Sequence, residues 1–190
     1  KPLSLNSKAE NRSLNRELNI MAKINHAGIV RFIGFSPVNY HDEDKPVIIQ
    51  ELVSNGTLAD IIEKERKSLA PALWDTTTKL INLYGIASAM SFLHSHGIIH
   101  RDLKPANILM NERLYPKVAD FGLSKMVNTD DQDSINVQST MGLKGTPIYM
   151  APEIFSDCKY TEACDVYAYG IIAYEIITNE IPFKDFNMHK

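Results

Sequence analysis

The stretch His100-Arg101-Asp102-Leu103-Lys104-Pro105-Ala106-Asn107 constrains this chain more than any other. It holds one acid, two cationic side chains, a histidine and an amide at close range, stiffened by a proline. Ile98-Ile99 stands before it and Ile108-Leu109-Met110 after it, each able to form a short buried strand. A polar loop gripped by two strands gives the rigid placement that a catalytic group needs. Eighteen positions past Asp102 comes Asp120-Phe121-Gly122, a second acid with a glycine expected to free the backbone for a turn. Ala151-Pro152-Glu153 stands further on. Taken singly, such residues read as turns and caps. Their ordered combination does not, since one eight-residue match at about six fixed positions arises by chance in roughly one chain in 10⁵–10⁶ of this size.

With His-Arg-Asp-Leu-x-x-x-Asn, Asp-Phe-Gly and Ala-Pro-Glu in this order, the chain resembles the eukaryotic protein kinases. The resemblance implies an α+β, bilobal protein-kinase-like fold that transfers the γ-phosphoryl of ATP to a protein hydroxyl. That reaction needs positioning and charge neutralisation more than covalent help. An unpaired carboxylate at Asp102 matches the base that orients the incoming hydroxyl and accepts its proton. Asp120 and the amide oxygen of Asn107 supply the hard oxygens that Mg2+ prefers. Lys104 offers a point charge for the migrating phosphoryl. His100, Phe121, Gly122 and Glu153 enter as structural members of the motifs, Glu153 with an expected arginine partner beyond Lys190. Arg101 beside the acid implies a phosphate partner on the activation segment, with Thr140 and then Ser139 as the expected acceptors, clear of Asp130, Asp131 and Asp133.

Residues Ser7 to Ile24 suit a helix whose buried stripe is Leu14, Leu18, Met21 and Ile24. By resemblance this is the family's helix C, with Glu17 as its ion-pairing glutamate and Lys1, sixteen residues upstream, as the ATP-binding lysine. Ile29–Phe35 and Val47–Leu52 read as strands. Gln50-Glu51-Leu52-Val53 then resembles the hinge, where backbone groups of Glu51 and Val53 hold the adenine. Gln50 gates the pocket behind it and makes that pocket less apolar. Thr57 is placed to cap a short helix through Ile61-Ile62. From Lys79 to His96 the positions Leu80, Leu83, Ile86, Met90 and Leu93 keep helical spacing, and Gly97 ends the run. His94 reads as an imidazole favoured at a helix C-terminus. Lys117-Val118-Ala119 reads as a strand leading into Asp120, and residues 128–139 as an acidic insertion. The apolar stretch that opens on Asp165 reads as a buried helix. Its charge requires hydrogen bonds, which the resemblance implies come from catalytic-loop amides.

A kinase domain of this family runs to about 250 residues, against 190 here. The expectation is therefore a fold truncated at both ends and inactive by itself. Residues 1–52 would be a partial N-lobe (the end of strand 3, helix C, strands 4–5). Residues 53–190 would be a partial C-lobe with hinge, catalytic loop, activation segment and helix F. A net charge of −3 gives no basis for nucleic-acid binding, and no apolar run reaches membrane-spanning length. Cys158 and Cys164 read as reduced thiols of a cytoplasmic protein. Lys104 and Pro105 after the acid, together with Thr146, match the serine/threonine type. The phrases Gly145–Glu153 and Asp120–Lys125 look most like the tyrosine-kinase-like branch. Two alternatives stay open: a pseudokinase scaffold, usually marked by loss of Asp102 or Asp120, and a dual-specificity or tyrosine kinase, disfavoured by Lys104 and Thr146.

Overall fold

The computed structural model describes residues 8–41, 43, 46–126, 147–156 and 160–183. Lys1, Ser139, Thr140, Thr146 and the acidic insertion lie outside the described residues. Helix α1 spans Lys8–Met21 and buries Leu14 and Met21 of the expected stripe, together with Ile20; Ile24 is buried just beyond its end. An antiparallel hairpin follows, β1 (Phe32–Ser36) on β2 (Val47–Gln50), with an irregularity between Phe32 and Gly34. Both strands are shorter than their apolar runs. Ile29 forms an isolated parallel bridge to Val118 instead, and Glu51 leaves the ladder as the chain turns outward.

Helix α2 (Leu58–Arg66) starts on a capping box. The Thr57 hydroxyl accepts the Asp60 N–H at 3.2 Å, while Asp60 Oδ2 accepts the Thr57 N–H at 2.8 Å. These bonds satisfy two of the amides that any helix start leaves without a partner. The helix runs a turn beyond Ile62, and its last residue, Arg66, donates to the carbonyls of Asn179 and Glu180 at 3.1 Å each.

Helix α3 (Thr76–Ser95) begins three residues before the predicted Lys79, because Asp75 Oδ1 caps the Thr78 N–H at 2.7 Å. Its buried face differs from the predicted stripe. Leu80 is 60% exposed, whereas Thr78 and Asn82 are buried with Ile86, Ala89, Met90 and Leu93. The Asn82 amide explains the exchange: it donates to the carbonyls of Thr78 and Leu114, both at 2.8 Å, and so ties α3 to the turn after β4. Gly97 stops the helix at φ 67, a backbone region open to glycine.

Two short ladders flank the polar loop, β3 (Ile98–Ile99) on β6 (Lys125–Met126) and β4 (Ile108–Met110) on β5 (Pro116–Val118). Helix α4 (Pro152–Ser156) and helix α5 (Glu162–Thr178) complete the described elements, with 3₁₀ turns at Pro105–Asn107 and Pro147–Tyr149. Helix α5 starts one turn ahead of Asp165 and is not buried all round, since Val166 and Ile177 are 60% and 67% exposed. One contiguous apolar cluster joins α1, β2, α2, α3, the polar-loop strands and α5.

Gly85 sets how closely β5 approaches α3. A Cβ there would sit 2.8 Å from Pro116 Cγ, closer than packed side chains allow. Gly85→Val should therefore destabilise the protein by about 1–3 kcal/mol, outweighing the few tenths gained in helix propensity. The denaturant midpoint at unchanged m-value measures this, and an unshifted midpoint would mean Pro116 moves aside without cost.

Candidate active site

The polar loop is held from below by one buried carboxylate. Asp165 is 2% exposed; its Oδ2 accepts the His100 N–H at 2.8 Å and its Oδ1 accepts the Arg101 N–H at 2.9 Å. His94 Nε2 lies 2.9 Å from the same Oδ2, so this histidine serves Asp165 rather than the helix end as such. Arg101 sits at φ 67, a left-handed conformation that costs a non-glycine residue about 1–3 kcal/mol unless its surroundings enforce it. The Asp165 bond to its N–H is such a constraint. The Arg101 guanidinium carbon lies 5.2 Å from the centre of the Tyr160 ring.

His100 is fully buried and links the loop to the segment that carries Asp120. Its Nε2–H donates to the Ala119 carbonyl at 3.0 Å, and its Nδ1 accepts the Asp102 N–H at 3.3 Å. Its ring packs against Phe121 at 5.4 Å between centroids. Asp102 is not the unpaired carboxylate expected from sequence. Lys104 Nζ reaches its two oxygens at 2.9 and 2.7 Å, and Asn107 Nδ2 donates to its Oδ2 and to its carbonyl, both at 2.8 Å. The cause is local: the turn Pro105–Asn107 folds Asn107 back onto the acid, and Lys104 two residues on points the same way.

The turn after β5 also differs from expectation. The positive φ of 64 falls on Asp120, not on Gly122. Gly122 matters for closeness instead, because a Cβ there would stand 3.3 Å from Asp120 Oδ1 and 3.8 Å from Glu17 Oε2. Glu17 on α1 thus reaches the Asp120 turn. Asp120 is exposed, and Gly122 N–H points at its Oδ1 at 3.4 Å.

At the hinge-like segment the Gln50 amide donates to Met21 Sδ at 3.6 Å, so its polar end is turned toward α1. The Glu51 N–H is bound to the Arg31 carbonyl at 3.0 Å. Its side chain accepts from the Arg31 N–H at 2.8 Å and from Lys117 Nζ at 2.6 Å. Burial by itself would raise the Glu51 carboxyl, but the bonds from Lys117 and Arg31 outweigh it and hold the group below its ordinary value. Leu52 is 90% exposed and Val53 half-buried.

Glu153 was expected to meet an arginine; among the described residues its carboxylate lies 3.8 Å from the Cys164 thiol. Beside the loop, Tyr149 donates to Glu175 Oε1 at 2.7 Å, and Arg66 lies 3.5 Å from Glu175 Oε2. From sequence, His94 read as a helix-end imidazole and Lys117 as a strand residue, neither with a part in the site, and Glu175 was passed over. The interruption of an apolar helix by Glu175 was the one available signal, since a charge there needs a partner.

The protein kinase domain family matches residues 2–190. A LIM domain-containing serine/threonine-protein kinase of Dictyostelium discoideum is 39% identical over 175 residues, covering 91% of this chain and 25% of that protein. A second serine/threonine-protein kinase of the same organism is 37% identical over 100% of this chain and 30% of its own length. The human serine/threonine-protein kinase TNNI3K is 34% identical over 93% of this chain and 20% of its own length. The chain therefore spans less than a third of each of these relatives.

Two outcomes follow from the site geometry. Asp165→Ala leaves the buried His100 amide and the part-buried Arg101 amide without acceptors, each worth about 1–3 kcal/mol, so unfolding should show a loss of at least about 2 kcal/mol. A loss below about 0.5 kcal/mol would mean that water replaces the carboxylate. Because the Glu51 carboxyl is held low in the folded protein, its contribution is complete above the unfolded value of 4.5 and fades as pH falls below it. Stability of Glu51→Gln should accordingly converge on wild type on acidification, and a constant gap from pH 7 to pH 3 would refute the linkage.

Proposed function

The chain belongs to the protein kinase domain family, and from that premise we propose that it forms the core of a serine/threonine kinase acting on protein hydroxyls with Mg-ATP. The observation that carries this reading is the compact set Asp102, Lys104 and Asn107, bonded at 2.7–2.9 Å. The names of the relatives at 34–39% identity agree with it.

In this reading the carboxylate of Asp102 orients the acceptor hydroxyl and takes its proton. Lys104 already bridges that carboxylate, which places its ammonium where negative charge grows on the transferring phosphoryl. With Asn107 Nδ2 committed to Asp102, the opposite Oδ1 is the amide's coordinating atom. That oxygen and the exposed Asp120 carboxylate make a hard-oxygen pair that suits Mg2+. When bound, the ion would neutralise phosphate charge; the protein's own part is to hold the two oxygens through the Ala119–His100 bond and the Asn107 backbone, whose carbonyl accepts the Ala119 N–H at 2.9 Å. Glu51 offers its carbonyl and Val53 its N–H to the adenine. We place the boundary between the partial N-lobe, residues 1–52, and the partial C-lobe, residues 53–190, at this segment.

A cleft of about 520 Å³ opens beside the loop, lined by Lys104, Ala106, Ile148, Tyr149, Ile62 and Arg66. It is roomy enough for side chains of a peptide that presents its hydroxyl to Asp102.

Asp102→Asn in the full-length protein should lower turnover by about 10²–10⁴-fold, the usual worth of a general base, with Mg-ATP affinity retained. Turnover within a few-fold of wild type would remove Asp102 from that role. Phosphoamino-acid analysis of mixed peptide substrates should return phosphoserine and phosphothreonine. Phosphotyrosine as the main product would favour the alternative class.

A further inference from the structure

We propose that Glu51 and Lys117 form a clasp that sets nucleotide affinity, holding the adenine-binding segment against the strand that delivers Asp120. Lys117 is then a positioning residue. The inference rests on reading this site as a nucleotide site, and it adds two side chains, Glu51 and Lys117, whose part that reading leaves unassigned.

The argument begins with what anchors residues 51–55. Among the described residues, Leu52, Val53 and Ser54 make no backbone–backbone hydrogen bonds, and the next fixed point downstream is Asn55, whose N–H donates to the Met110 carbonyl at 3.0 Å. In backbone hydrogen bonding the segment is therefore suspended between Asn55 and Glu51, with one 3.4 Å side-chain bond between them, from the Ser54 hydroxyl to Glu112 Oε1. At the Glu51 end, three separate parts of the chain meet at one carboxylate oxygen. Oε1 accepts the Arg31 N–H at 2.8 Å and the Lys117 ammonium at 2.6 Å, while the Glu51 N–H returns a bond to the Arg31 carbonyl at 3.0 Å. The seam continues one residue away. Val118 donates its N–H to the Gly28 carbonyl at 2.8 Å, and its carbonyl accepts the Val30 N–H at 2.9 Å. Residues 28–31 are thus stitched to β5 on one side and to Glu51 on the other, and the Glu51–Lys117 ion pair closes the ring.

Lys117 stands three residues before Asp120, so the ring couples the adenine end of the site to the metal-binding end. Both side chains are about four-fifths shielded, at 21% and 17% exposure, which spares the pair most of the screening that weakens surface ion pairs. A ligand bound by the backbone of a suspended segment gains affinity when that segment is ordered before binding. Losing the clasp hands that ordering cost to the nucleotide.

The test uses the full-length protein with Lys117→Met, Glu51→Gln, the double variant and Lys117→Arg. Amide exchange is first measured without nucleotide, and titrations follow with adenosine and with Mg-ATP. Expected are faster exchange at the Arg31 and Glu51 amides in each single variant and a three- to tenfold rise in Kd, about 0.7–1.4 kcal/mol in binding free energy, for both ligands. The double variant should be no worse than the weaker single one, and Lys117→Arg should fall within about twofold of wild type. Unchanged affinity in both single variants, or losses that add in the double, would overturn the clasp. A lowered melting temperature with wild-type Kd would reduce the pair to a structural role and equally overturn it. Failure of wild type itself to bind either ligand would instead sink the nucleotide-site reading, a result visible before any variant is compared.

Discussion

A single buried carboxylate, Asp165, organises the catalytic loop. A buried charge is costly unless fully bonded, and here that requirement fixes the geometry. Its two oxygens accept the amides of His100 and Arg101, and His94 on α3 approaches one of them. The captured N–H helps hold Arg101 in its left-handed conformation. Helix α5 thus delivers a charge to the backbone beneath the proposed catalytic residues. Destabilising that charge would loosen the loop without touching any reacting group.

From this base, order passes upward through His100. Buried and bonded at both ring nitrogens, it sets the Asp102 backbone on one side and the Ala119 carbonyl on the other. Asp120 follows Ala119 directly and adopts its own left-handed conformation, so both acids of the site descend from one imidazole. Phe121 packs on that ring, and the Glu17 carboxylate of α1 reaches the Gly122 backbone. The helix, the loop and the turn are therefore mechanically joined by short contacts, which favours discrete arrangements over continuous drift.

The segment proposed to hold adenine is built differently, from charges rather than a buried ring. Glu51 and Lys117 are each partly shielded, and a single oxygen, Glu51 Oε1, accepts from both the Lys117 ammonium and the Arg31 N–H. Such a contact is strong enough to register the segments yet weaker than the apolar core beneath them. Placing the softer join beside the segment proposed to receive a ligand is physically sensible, because regions that adapt on binding are drawn from the less stable parts of a fold.

Much of this was legible in the residues themselves. The apolar pairs on either side of His100–Asn107 do become β3 and β4, Thr57 does cap α2, and Gly97 does end α3, because caps, turns and short apolar runs depend on residues near in sequence. Asp102, Lys104, Asn107 and Asp120, the residues proposed for chemistry, could be named from the sequence for the same reason, as their spacing is local. What the chain order could not show is which partners meet across it. That Asn82 is buried and Leu80 exposed follows from the Leu114 carbonyl, 32 residues away. That Asp102 is paired depends on how Pro105–Asn107 turns back, and that the strained residue is Asp120 rather than Gly122 depends on His100 holding Ala119. Glu51 meeting Lys117 across 66 residues is likewise a fact of packing. Side-chain type and spacing determined the reagents; tertiary structure decided their pairings, because a hydrogen bond or ion pair is set by distance in space, which sequence separation does not contain.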